Sequence, residues 1–180
     1  MDRIVVRRAP LALAQGSARG SRVCGDCSAC CKTLSVNSAV LKKPAGKWCQ
    51  HWEKNTRCSI YADRPRPCRL FVCEWMKGVR EECHRPDRTK VVLDFVKHSQ
   101  GPPEGILQMW EVAEGSLTHP YAKYIAREVL SSGILVFHLY LSQRKKLFIP
   151  VSRMSLLQNL REVMKRERVE LGSLRELEAA

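Results

Sequence analysis

The stretch Cys24-Gly-Asp-Cys27-Ser-Ala-Cys30-Cys31 places four thiols within eight residues. Four more follow at Cys49, Cys58, Cys68 and Cys73, and Cys83 stands slightly apart. No cysteine occurs after residue 83, so the chemistry is concentrated in the first half. Around the run, residues 24–83 show little hydrophobic periodicity and are rich in Lys, Arg, Pro and Trp. That composition predicts loops and short helices held by cross-links rather than by a large core.

Three uses of the thiols follow from elementary chemistry. A disulfide framework suits short secreted chains with small cores. This chain has 180 residues, 44% of them hydrophobic, and a bridge between the neighbours Cys30 and Cys31 would close a strained ring. A C-x2-C spacing lets two thiolates converge on one tetrahedral Zn²⁺ from a single turn, and later cysteines complete the set. The C-x2-C-x2-C run at Cys24, Cys27 and Cys30 also matches the ligand spacing of bacterial iron–sulfur ferredoxins. It departs from them at Cys31, where three residues and then Cys-Pro are usual.

The grouping of the sulfurs is open at this level. On a helix, Cys24, Cys27 and Cys31 share one face at ~0°, ~300° and ~340°, with Cys30 toward its edge. In a loop, the adjacent Cys30 and Cys31 point to different metals.

The combined pattern, Cys24-x2-Cys27-x2-Cys30-Cys31, then Cys49, then Cys58-Ser-Ile-Tyr-Ala-Asp-Arg-Pro-Arg-Pro-Cys68-Arg-Leu-Phe-Val-Cys73, resembles the CxxCxxCC family. These are the YkgJ-type bacterial cysteine-cluster proteins, described as zinc- or iron-chelating domains. The resemblance covers roughly residues 24–90. It implies metal binding by Cys24, Cys27, Cys30, Cys31, Cys49, Cys58, Cys68 and Cys73, with Zn²⁺ or Fe, including a [4Fe-4S] cluster, as the cofactor. A relative, the flagellin lysine N-methylase, couples a similar block to methyl transfer, so an iron–sulfur enzyme in redox or protein-modification chemistry is an alternative. No separate methyl-donor signature stands beside it here.

Other residues take expectations from their positions. Arg64 and Arg69 flank Cys68, and each could donate to a cluster sulfur or hold a carboxylate. Tyr61 reads as a core aromatic. Trp48, Trp52 and Trp75 are expected to pack around the site and exclude water. His51, beside Cys49, is a spare ligand. Cys83 and His84 resemble a nucleophile and base, yet adjacent residues rarely point correctly for that.

Charge is uneven. Residues 1–100 carry 20 Lys and Arg against 9 Asp and Glu, and residues 101–180 carry 11 against 9. A zinc module binding nucleic acid would use such an excess. Compensation of thiolate charge explains better why it travels with the cysteines. Residues 1–22 read as a basic tail, since their apolar patch is short and broken by Pro10, unlike a secretory signal. No apolar run approaches a membrane span, so a cytoplasmic setting with reduced thiols is expected. A protein partner is compatible with these features.

The predicted fold class is α+β, with the cysteine block over 24–90 followed by a scaffold over 91–180 containing a small antiparallel sheet. Lys90–Val96 and Gly105–Val112 read as a hairpin across Gly101-Pro-Pro-Glu-Gly105. A helix is expected over Pro120–Ser131, capped by Thr118 and ended by Gly133. Strands at Ile134–Leu141 and Lys146–Pro150 follow. A last helix starts near Ser152, with an apolar stripe at Leu156, Leu157, Leu160, Val163 and Met164 and a basic face at Arg161, Lys165, Arg166 and Arg168. In the cysteine block, Leu41–Lys47 reads as a turn or exposed loop, and a short helix is expected around Cys68–Met76.

Overall fold

Two apolar seven-residue runs, Val91–Lys97 and Gly105–Glu111, dictate the centre of the fold, because a strand sends successive side chains to opposite faces and these have apolar residues for both. The computed structural model describes residues 22–54, 57–97 and 105–178. Residues 1–21 of the basic tail and most of the Gly101–Gly105 turn lie outside these residues.

In the cysteine block, helix α1 (Ala29–Thr33) precedes the strands β1 (Val36–Asn37), β2 (Lys42–Lys43), β3 (Trp52–Glu53) and β4 (Arg57–Cys58), and helix α2 (Arg66–Leu70) follows. The strands form two minimal antiparallel hairpins, β1–β2 and β3–β4. After helix α3 (Pro86–Thr89) the scaffold runs β5 (Val91–Lys97), β6 (Gly105–Glu111), α4 (Pro120–Ser131), β7 (Leu135–Leu139), β8 (Lys145–Phe148), α5 (Leu156–Arg166), β9 (Val169–Leu171) and α6 (Arg175–Glu178).

The α+β class is observed. One five-stranded sheet has the order β5-β6-β7-β8-β9. Its pairings alternate: β5–β6 and β7–β8 are antiparallel, β6–β7 and β8–β9 parallel. The expected antiparallel sheet is therefore mixed, for a physical reason. A helix stands between each parallel pair, and a parallel pairing needs such a crossover.

One face of the sheet presents Val91, Leu93, Leu107, Met109, Val136 and Phe148 to Ala122, Ile125, Ala126 and Val129 of α4 and Leu177 of α6. The opposite face is shared. Ile106, Leu135, Phe137 and Leu147 meet Leu156, Leu157, Leu160 and Met164 of α5. Val92 and Trp110, at the other end, pack with Ala29, Cys73 and Trp75 of the cysteine block. The cysteines thus sit on the sheet beside the last helix. In α5 the basic residues are exposed as expected, and Val163 leaves the stripe at 44% exposure.

Helix α4 starts at Pro120, whose missing N–H is harmless in a first turn. The expected Thr118 cap is replaced by His119, whose Nδ1 accepts from the Tyr121 amide at 3.4 Å. Thr118 instead donates to the Gly115 carbonyl at 2.7 Å. Gly133 ends the helix with φ +78°, a left-handed conformation that glycine adopts cheaply. Among the described residues no helix is long and apolar enough to cross a membrane.

Candidate metal centre

The Cys24–Cys31 run begins as a turn and ends as a helix. The Cys27 amide donates to the Cys24 carbonyl and the Cys31 amide to the Ser28 carbonyl, both at 2.9 Å. Helix α1 then carries Cys30 and Cys31. The next ligand candidate is tied directly to this helix, since the Cys49 amide donates to the Cys31 carbonyl at 3.0 Å. The β3–β4 hairpin sets Cys58 opposite Trp52. Pro65 then starts α2, which carries Cys68. Pro67 falls in the first turn of α2, where proline is tolerated. The helix accordingly spans Arg66–Leu70 and does not reach Met76, as the Cys68–Met76 expectation had it.

The result is two neighbouring sets of thiols. Cys30, Cys31, Cys49, Cys58 and Cys68 line one cavity of about 260 Å³, walled by Leu34, Val36, Leu41, Ile60 and Phe71 and closed by Asp94 and Trp110 from the sheet. Beside it, Cys27 and Cys73 pack with Trp75 and Met76, and the Cys24 Sγ lies 3.1 Å from the Met76 Sδ. Cys30 stands between the sets, close enough to feel charge on Cys31, Cys24 and Cys27. All nine cysteines are free thiols.

Among the described residues no three of the eight cysteines bring their sulfurs within 4.8 Å of one another; the trio that meets this spacing is Glu81, Cys83 and His84. A single tetrahedral Zn²⁺ with Zn–S near 2.3 Å would draw its sulfurs to about 3.8 Å.

Electrostatics differ between the sets. Cys30 donates a hydrogen bond to Cys31, and with Lys43 and Arg64 nearby the Cys31 thiol is lowered to about 7 despite burial. That same bond, then burial, pushes Cys30 well up. Burial pushes Cys73 to about 11, opposed by the backbone amides of Met76 and Trp75. Burial also raises Cys27, and the amide of Ala29 works against it. Amides aimed at sulfur stabilise thiolate and are the usual support of a metal–thiolate bond.

Lys43 was missed in the sequence. Leu41–Lys47 reads as a turn or exposed loop, and it does turn at residues 45–46, yet Leu41 is 4% and Lys43 6% exposed. The Lys43 Nζ donates to the carbonyls of Lys32 at 3.1 Å, Pro44 at 3.0 Å and Leu34. It closes the C-terminal end of α1 and lines the thiol cavity. The signal was the alternation Leu41-in, Lys42-out, Lys43-in, obscured by paired lysines. Met76, Asp94 and Trp110 carried no local signal, because only the tertiary fold brings them to the sulfurs.

Arg64 lines the cavity, donates to the Tyr61 carbonyl at 3.0 Å and lies 3.7 Å over the Tyr61 ring. Arg69 is exposed and donates to the Arg64 carbonyl at 2.6 Å. Tyr61 is 58% exposed and forms a lid over the guanidinium rather than joining a core. Trp75 is buried as expected, whereas Trp48 is 43% exposed and stacks on Trp52 at 3.9 Å. The His51 Nε2 faces Gln50 at 3.3 Å.

No family profile, curated protein or solved structure matches the chain. The donor set therefore has to be judged on its own chemistry. Five thiols around an apolar chamber, with a lysine and an arginine in its wall, fit a soft, thiolate-bound iron or zinc group.

Proposed function

We propose that the N-terminal block is a metal-binding module that chelates iron as a polynuclear thiolate centre, in keeping with its resemblance to the CxxCxxCC family. Cys31, Cys49, Cys58 and Cys68, with Cys30 beside them, would hold it, and Cys24, Cys27 and Cys73 form the adjoining donor set. The observation that carries this reading is the width of the site: five thiols line one cavity of about 260 Å³, more than the four that a single tetrahedral zinc ion takes. Bound iron–sulfur centres supply one-electron chemistry and folding energy.

The chain's own residues prepare the site in three ways. Lys43, Arg64 and, beside Cys24, Arg85 offset thiolate charge. This gives part of the basic excess a role inside the block. Leu34, Val36, Phe71 and Trp110 exclude water from the chamber. The backbone amides at Cys27 and Cys73 favour thiolate. The block has little else to order it, since its strands have two residues each and its helices α1, α2 and α3 five, five and four.

Elemental and sulfide analysis of protein purified without oxygen tests the proposal. Iron with matching acid-labile sulfide, lost together in Cys31→Ser with Cys68→Ser, is expected. Zinc without sulfide at the same cysteines would replace this reading with a structural zinc module.

A further inference from the structure

Cys83, the ninth thiol, belongs to neither set and does not line the cysteine cavity. It sits in a short 3-10 turn, Glu82–His84, that begins just after Glu81. The turn is tied by the His84 amide donating to the Glu81 carbonyl at 3.1 Å. The turn brings one carboxylate, one thiol and one imidazole together: a donor atom from each of Glu81, Cys83 and His84 lies within 4.8 Å of the other two. The Cys83 Sγ donates to the Glu81 Oε2 at 3.7 Å.

Two further observations concern what the trio lacks. The His84 Nδ1 is buried and has no hydrogen-bond partner, a costly state for a polar atom. Glu82 pairs with Arg22 at 3.2 Å and Glu128 with Arg80 at 2.9 Å. Glu81 makes no ion pair among the described residues, although it stands in a basic block. The imidazole is also held in place, stacked on Tyr121 of α4 with ring centroids 4.7 Å apart.

We infer that Glu81, Cys83 and His84 form a mononuclear site for a zinc-type divalent cation, distinct from the eight-cysteine block. A thiolate with an imidazole selects zinc-type ions over Mg²⁺ or Ca²⁺. One thiolate and one carboxylate neutralise a divalent ion, so this site needs none of the cationic support that the thiol cavity receives. Three protein ligands leave a fourth position for water or a substrate atom, the arrangement of reactive rather than purely structural zinc. Exposure of Glu81 and Cys83 keeps that position open to solvent.

The test uses the full chain, dialysed against Zn²⁺ without oxygen and assayed for zinc, iron and sulfide. Cys83→Ser and Glu81→Gln, both at exposed positions, are expected to lose one zinc per chain while iron and sulfide stay unchanged. His84→Ala should do the same, with circular dichroism reporting whether loss of the Tyr121 stack disturbs the fold. Cys31→Ser is expected to act on iron and leave this zinc in place. An unchanged zinc count in Cys83→Ser, or a loss of iron instead of zinc, would overturn the assignment.

Discussion

Glu74 is fully buried, and its position explains why. Strand β5 is an edge of the sheet, and an edge strand leaves N–H and C=O groups unpaired. Glu74 covers them: its amide donates to the Leu93 carbonyl at 2.9 Å, and its Oε1 accepts from the Phe95 amide at 3.2 Å. The Lys77 Nζ, 2.5 Å away, balances the charge. Glu74→Ala keeps the bond to Leu93 but leaves the Phe95 amide and the Lys77 ammonium without their carboxylate, and is expected to cost roughly 3 kcal/mol. A thermal melt unaltered by the substitution would contradict this role. His138, 1% exposed, acts through its protonation state. Burial, with Lys146 nearby and only partial opposition from Glu176, lowers it to about 4. The folded chain therefore keeps it neutral, while the unfolded chain takes up a proton below about 6.5. Between those values the unfolded state binds more protons, so stability falls as pH drops from 6.5 toward 4, by up to roughly 3 kcal/mol, and is level above 6.5. Urea midpoints across this range should fall less steeply for His138→Leu than for the parent, and equal slopes would refute it.

At the scale of elements, the legible parts were those whose period is long enough to see. Pro120, the spacing of Tyr121, Ile125 and Val129, and Gly133 together marked α4 correctly. The β5 and β6 strands were visible because each runs for seven residues rich in β-branched, aromatic and other apolar side chains, and β6 also alternates in burial. The β9 strand and the α6 helix were not, since three and four residues carry no periodicity and β9 is placed only by its parallel partner β8. A glycine fixes that last strand against the core. The Gly172 amide donates to the Leu147 carbonyl at 2.8 Å, and a Cβ at Gly172 would enter the buried Phe148 ring. Gly172→Ala is expected to cost about 1–3 kcal/mol by overpacking, read as a lower denaturation midpoint. A neutral outcome would mean that β9 and Phe148 part easily.

For the whole molecule, the sheet scaffold owns a continuous core on one face, whereas the cysteine block contributes mainly Ala29, Cys73 and Trp75 to a small shared cluster. The candidate thiols were legible in the sequence, through the C-x2-C spacing and the resemblance that groups all eight. Their division into two sets was not, because it depends on α1 presenting Cys30 and Cys31 to one cavity and on the chain folding Cys49, Cys58 and Cys68 back to it. If metal binding supplies the missing folding energy, Cys27→Ser with Cys30→Ser should expose residues 24–83 to protease while β6 to β8 stay protected from hydrogen exchange. Loss of protection across both halves, or in neither, would sever the link between metal and fold. The width of the thiol cavity is the core of the account, and X-ray absorption at the edge of the bound metal reads it most directly. Iron with a metal–metal scattering path, abolished by Cys31→Ser with Cys68→Ser, is the expected spectrum. A single shell of four sulfurs around an isolated zinc, with no metal neighbour, would contradict it.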